Sequence, residues 1–283
     1  MSIKLIADST CDLSKELVEE LDVDILPLHI LLDEEEYKDG VDITAEEIYA
    51  YSDRTGKTPK TSAPNLADVI NLLKKYKDEY DEIICFTISA TMSSSFNVLV
   101  LASEELEIED RVHVVNSKNL TNGIALLMYK AKKLIDEGKS AQEIVEVIKE
   151  ERSKVKTSFI LETLEYLSRG GRCNSITAIM GGAFKIHPCI HLEDGEMKVG
   201  KKYRGPFHKV SMHYLQDLKE SLLKANKELV FIIHSGIEKE IEDEIYNFIK
   251  ELDYFDRIVI SRAGGVISSH CGPSTVGIAF MED

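Results

Sequence analysis

A chain of 283 residues, 43% hydrophobic and 30% charged, is long enough for two domains that each bury a core. Its formal net charge of −16 argues against nucleic acid as the main partner: phosphate contacts need clustered Lys and Arg, and the nearest such group, Lys198, Lys201, Lys202 and Arg204, is too small to reverse the sign. The odd set of cysteines (Cys11, Cys85, Cys173, Cys189, Cys271) contains no CxxC pair and argues for a reducing compartment. No apolar run is long enough for a signal peptide or an integral membrane segment, so the expected location is the cytoplasm.

Ile3 to Ala7 reads as a first strand, followed by Asp8-Ser9-Thr10-Cys11-Asp12. Leu13, Leu17, Val18 and Leu21 then share one helical face, with Asp12 as the expected N-cap. Ile25 to Leu32 is one strand-like apolar segment before the acidic turn Asp33 to Glu36. Thr44-Ala45-Glu46-Glu47 is a capping box that opens a short helix. Pro59 and Pro64 are expected to exclude regular structure between them, and an amphipathic helix covers Leu66 to Tyr76.

Glu82 to Ile88 is a buried strand, and Ser89-Ala90-Thr91-Met92-Ser93-Ser94-Ser95 leads from it into a helix beginning with Phe96. Strand, hydroxyl-rich turn and helix together point free N–H groups and hydroxyls at the carboxyl end of a parallel sheet, where an anion is stabilised. Val112 to Val115 is a further strand. Helices follow at Thr121 to Glu137 and after a second capping box, Ser140-Ala141-Gln142-Glu143. This alternation predicts an N-terminal doubly wound parallel sheet over residues 1–155.

From residue 156 to 283 the pattern predicts a C-terminal α/β domain with mixed or antiparallel pairing. Thr157 to Leu161 is a strand, and a helical turn ends at Gly170-Gly171-Arg172. Ile186 to Leu192 and Met197 to Lys202 flank Asp194-Gly195, a hairpin signal. Helices at Phe207 to Ala225 and Glu238 to Leu252 alternate with strands Leu229 to His234 and Ile258 to Ile260, and the chain closes on a glycine-rich turn, Gly264 to Ser274.

Two motifs mislead. Gly56-Lys57-Thr58 imitates the tail of a P-loop, but Tyr51 stands where the first glycine belongs and Pro59 follows at once. His187, Cys189 and His191 share a strand face, yet alternate strand residues are widely spaced and no fourth ligand is evident. A strand face is therefore preferred to a zinc site. GxGxxG and GxSxG are both absent.

Five segments together resemble the DegV family of bacterial fatty-acid-binding proteins. They are Ala7-Asp8-Ser9-Thr10-Cys11-Asp12-Leu13, Thr61-Ser62-Ala63-Pro64, Ile88 to Asn97, Tyr166 to Arg172 and His270-Cys271-Gly272-Pro273-Ser274. The family usually has Gly where Ser94 and Ser274 stand, Thr at Ser95 and Gln at Ala63; a side chain at Ser94 is expected to narrow the site or to force a different turn. The resemblance implies a two-domain α/β fold that holds one fatty acid between its domains. It also implies presentation of the carboxyl group to a separate ATP-dependent fatty-acid kinase subunit, giving an acyl phosphate for phospholipid synthesis. On this reading the chain is a carrier and not an enzyme by itself, with a fatty acid as ligand and no cofactor.

The residues expected at the carboxylate are Thr61, Ser62, Ser93, Ser94 and His270, which offer hydrogen bonds without an ion pair. Arg172 is expected near the head group or at the kinase docking surface, and Arg204 at that surface. The rival from another class is a hydrolase or acyltransferase with Ser93 as nucleophile and His270 as base.

Overall fold

The computed structural model describes residues 2–173 and 186–283. Its first part runs β1 (Ile3–Asp8), α1 (Lys15–Leu21), β2 (Val23–Leu26), β3 (His29–Leu32), β4 (Glu35–Lys38), α2 (Ala45–Thr55) and β5 (Lys60–Ser62). It continues through α3 (Leu66–Tyr76), β6 (Glu82–Thr87), α4 (Ser95–Glu105), β7 (Val112–Asn116), α5 (Asn122–Asp136) and α6 (Ala141–Glu151). Four of these strands form a parallel sheet in the order β2-β1-β6-β7. Its strands are apolar on both faces because both are covered. Ile6, Ile83 and Cys85 pack against Val69 and Leu73 of α3 and Leu99 of α4, whereas Leu5, Ala7, Ile84 and Phe86 face α1, α5 and α6.

The second part is β8 (Val155–Leu161), α7 (Glu165–Gly170), β9 (Ile186–Glu193), β10 (Glu196–Arg204), α8 (Phe207–Leu222), β11 (Ala225–His234), α9 (Lys239–Glu251), β12 (Ile258–Arg262), α10 (Gly265–Cys271) and β13 (Thr275–Glu282). Six strands make a mixed sheet, β10-β9-β8-β13-β11-β12, in which only β11 and β12 run parallel. α8 and α9 cover one face over Ile160, Val230, Ile232 and Ile278. The other face, with Phe159, Phe231 and Ile233, shares one buried cluster with α5 and the parallel sheet. α5 thus packs on both sheets, and the α/β expectation of a parallel sheet plus a mixed one holds.

Local expectations fail where distant contacts intervene. Helix α1 is capped by Ser14, whose hydroxyl accepts from Leu17 N; Asp12 instead ends a 3-10 turn, Ser9–Cys11, in left-handed conformation. The segment Ile25 to Leu32 is two strands in two sheets, broken at Pro27-Leu28. Between Pro59 and Pro64, Lys60–Ser62 is a strand after all: its three residues keep their N–H donors and pair antiparallel with β3, Thr61 opposite Ile30. The glycine-rich close contains helix α10, which carries His270, and is followed by β13 in the middle of the mixed sheet.

Other local signals act as read. Both capping boxes form, at Thr44–Glu47 and Ser140–Glu143. Asp194 and Gly195 take positive φ, 49° and 85°, as a tight hairpin turn requires. His187 of β9 faces backbone carbonyls, Leu161 O from Nδ1 at 2.8 Å and Gly205 O from Nε2 at 3.2 Å.

Ser274 sits at φ 56°, a left-handed conformation that costs an L-residue roughly 1 kcal/mol and glycine little. Its N–H donates to Gly236 O and its carbonyl accepts from Glu162 N, and both bonds survive loss of the side chain. Ser274→Gly should therefore stabilise the fold by about 1 kcal/mol in urea unfolding; an unchanged or lower midpoint would contradict this.

Candidate functional site

The carboxyl end of β6, strand β5, the end of α7 and helix α10 surround a cleft of about 480 Å³. Thr61, Ser62, Thr91, Ser93, Ser94, Asn97, Arg172 and His270 supply its polar lining, and residues such as Leu28, Ile88, Met92, Leu167, Met197 and Ile267 its apolar walls. A smaller apolar chamber of about 20 Å³, reaching Phe159 and Ile233, shares Leu120, Ile267 and Cys271 with the cleft.

The serine turn is built by backbone bonds. Ser89 N donates to Asn119 O, while Met92 N and Ser93 N both donate to Ser89 O. This coil feeds α4, whose first-turn N–H groups have no partner within the helix and stand at the cleft wall beside Ser93, Ser94 and Asn97. Ser93 Oγ accepts from Ser95 N at 3.3 Å and lies 2.8 Å from Ser95 Oγ. Ser94 takes the N-cap position with φ −84° and ψ 8°, and its hydroxyl makes no capping bond. Serine adopts that conformation without strain. Thr91 is committed elsewhere: its hydroxyl donates to Gly195 O at the β9–β10 hairpin, 2.6 Å away.

His270 projects from the last turn of α10, with Nε2 2.8 Å from Thr61 Oγ1. The ring keeps some exposure towards the cleft, whereas Nδ1 is sealed and has no hydrogen-bond partner among the described residues. Gly170 explains the sealing. A Cβ there would stand 2.2 Å from His270 Nδ1, so only glycine lets the backbone of α7 lie against the ring. Burial, with the Arg172 guanidinium as a lesser cause, lowers the imidazole pKa to about 4. The ring is therefore neutral at physiological pH.

Arg172 is exposed and its Nη1 donates to Gly170 O at 2.7 Å, so it caps the end of α7 while lining the cleft. It is the single cation among the described lining residues, and no Asp or Glu is among them. The fold thus brings Thr61, Ser62, Ser93, Ser94, Arg172 and His270 to one cleft. Arg204 stands apart, exposed at the end of β10. Sequence reasoning passed over Asn97, one helical turn beyond Ser93 and hence on the same face, and Gly170, whose role shows only once His270 is placed.

The imidazole has a pH consequence. Unfolded, it takes a proton near 6.5, and folded only near 4, so the unfolded chain binds more protons between these values. The stability that neutral His270 contributes is thus complete above the upper value and is lost as pH falls towards the lower. In urea unfolding across that window, wild type should lose more stability than His270→Gln; equal slopes would show that the ring is not buried neutral.

Residues 2–283 match the sequence profile described as "Uncharacterised protein, DegV family". A Thermotoga maritima protein named "Fatty acid-binding protein" is 31% identical over 287 residues, covering 99% of this chain and 98% of its own. A structure described as "Fatty Acid Binding of a DegV family Protein from Thermus thermophilus" superposes with TM-score 0.91 at 26% identity, over 100% of both chains. A stearic acid-binding protein from Eubacterium ventriosum superposes with TM-score 0.83 at 29% identity, covering 99% of this chain and 98% of its own. Sequence and fold agree over the full described length, and the chain is a member of the DegV family.

Proposed function

We propose that the chain binds a long-chain fatty acid, with the carboxylate at Thr61, Ser62, Ser93, Ser94 and His270 and the tail along the apolar walls towards the inner chamber. The observation that carries this reading is that a hydroxyl-rich helix start, a neutral imidazole and apolar side chains line one cleft. Hydroxyls, N–H groups and a neutral imidazole can all donate to a carboxylate, and each burial of a tail CH₂ adds about 0.8 kcal/mol. The cleft volume, about 480 Å³, lies within the range of roughly 300–1,000 Å³ for small-molecule sites. The reading requires no cofactor.

The reading extends to a cytoplasmic carrier that presents the carboxyl group to a separate ATP-dependent kinase for acyl-phosphate formation in phospholipid metabolism. Arg172, exposed beside the cleft, and Arg204 are the proposed kinase contacts. Of the basic group on β10, Lys198 and Lys201 are paired with Glu196 and Asp217, which leaves Lys202 and Arg204 without an ion-pair partner among the described residues. The hydrolase reading is disfavoured by geometry: Ser93 bonds Ser95, His270 bonds Thr61, and among the described residues no carboxylate orients His270 Nδ1.

Lipid extracted from the chain purified out of a bacterial host should contain a fatty acid, and the delipidated chain should take up oleate or palmitate. An empty cleft that ignores both would overturn the assignment. Ser93→Ala and His270→Ala should each weaken oleate binding roughly tenfold or more, as loss of one charge-assisted hydrogen bond implies. Gly170→Ala should do likewise by displacing the imidazole, although it removes no polar side chain. Ester turnover abolished by Ser93→Ala would instead favour the hydrolase. Arg172→Ala that keeps full oleate binding and full acyl-phosphate formation with a kinase would remove Arg172 from both roles.

A further inference from the structure

The segment Ala7 to Leu13 contributes no residue to the cleft lining, yet it holds two buried acids, Asp8 and Asp12, and the 3-10 turn between them. Asp8 is fully buried. One of its oxygens accepts from Ile88 N at 2.9 Å, and the other accepts from the Thr10 N–H and hydroxyl. Ile88 is the residue that leads from β6 into the serine turn.

Asp12 and Asp39 grip a different element. Asp12 Oδ1 accepts from Gly264 N at 2.9 Å, and Asp39 Oδ1 from Gly265 N at 2.7 Å, at the very start of α10. The second oxygen of Asp39 accepts from Ser9 Oγ at 2.8 Å, and that hydroxyl accepts in turn from Leu28 N. Asp12 Oδ2 lies near the Thr121 hydroxyl but outside hydrogen-bond geometry. The fit is close: a Cβ on Gly264 would stand 3.0 Å from Asp12 Oδ1, and one on Gly265 2.8 Å from Asp39 Oδ1. Among the described residues, none of these acids has a Lys or Arg within ion-pair distance.

We infer that Asp8, Asp12 and Asp39 are positioning residues of the cleft, which lock the serine turn and helix α10 to the Asp8–Asp12 segment, directly or through Asp39 and Ser9, and so fix His270 in the cleft that Ser93 and Ser94 line. The effect on ligand rests on the fatty-acid reading; the placement of His270 does not.

The hydrogen-bond roles predict which conservative changes rescue. An Asn at 12 keeps the one acceptor that Gly264 uses. An Asn at 39 keeps the acceptor for Gly265, because the Ser9 hydroxyl can turn to receive its NH₂. An Asn at 8 cannot serve both Ile88 and Thr10, since both oxygens of Asp8 accept.

The test records His270 ring signals by NMR in the delipidated full chain, and oleate affinity by calorimetry. Asp12→Ala, Asp39→Ala and Asp8→Asn should shift the His270 signals and weaken oleate at least tenfold. Asp12→Asn and Asp39→Asn should keep the wild-type signals and stay within about threefold in affinity. Ile245→Ala, a core truncation under α9, lowers stability and should move neither readout. The inference fails if His270 is unmoved in both alanine variants, or if the asparagine variants at 12 and 39 are as impaired as alanine. Should the alanine chains not fold, the contrast between Asp8→Asn and Asp12→Asn decides. Wild type that binds no oleate removes the fatty-acid reading and leaves the His270 signals to judge the positioning.

Discussion

A carboxylate buried without a cation is held only by the hydrogen bonds it accepts, and Asp8, Asp12 and Asp39, which have no cation beside them among the described residues, impose that constraint on their surroundings. Burial pushes Asp8 up to about 6 and raises Asp12 and Asp39 as well. The sign is opposite to that of His270: ionised Asp8 opposes folding above its folded value, and this penalty is relieved as pH falls towards the ordinary carboxylate range. The donors that offset the cost, Ile88 N, Gly264 N and Gly265 N, belong to segments far apart in sequence. Satisfying the acids therefore forces those segments together.

The cleft is a product of three sheets. The serine turn follows the central strand of the parallel sheet, Thr61 arrives on the small antiparallel sheet β4-β3-β5, and His270 lies on the helix between two strands of the mixed sheet. Val266 of α10 packs with Ile30 of β3 and Ile48 of α2, so the apolar contact that seats α10 also aligns β5 beside it. Because α5 is buried against both larger sheets, they cannot slide apart without exposing Ile124, Leu127 and Met128 to water. The polar lining of the cleft inherits that rigidity. A neutral histidine and hydroxyls are weak individually, and they discriminate only if their spacing is kept.

Elements specified by neighbours in sequence were legible: two capping boxes, the Asp194-Gly195 turn, the amphipathic helix over Leu66–Tyr76 and the serine turn itself. That Thr61, Ser62, Ser93, Ser94 and His270 line one cleft was legible from their residue types and order along the chain. Illegible features owe their form to distant partners. Lys60–Ser62 is a strand because β3 offers it a ladder, and α10 begins at Gly264-Gly265 because two remote carboxylates receive its first N–H groups. Local propensity reads those glycines as a turn. β13 was missed although Thr275 to Met281 is nearly all apolar, since Gly272-Pro273-Ser274 suggested that regular structure had ended. Ser274 shows how the chain turns there: it takes the left-handed angle itself.

The place of β13 has a consequence for the order in which the molecule can be made. Each ribosome-borne chain emerges from its N-terminus, and the parallel sheet draws only on strands up to Asn116. The mixed sheet is different. β13 lies between β8 and β11, joining Thr275 to Leu161 on one edge and Val276 to His234 on the other. Until β13 has left the ribosome, the two halves of that sheet have no common strand, and their apolar edges stand open. Such non-local pairing is slow to find. The parallel sheet can thus be waiting, folded, for a partner that closes after it, and the cleft comes into being only at that closure.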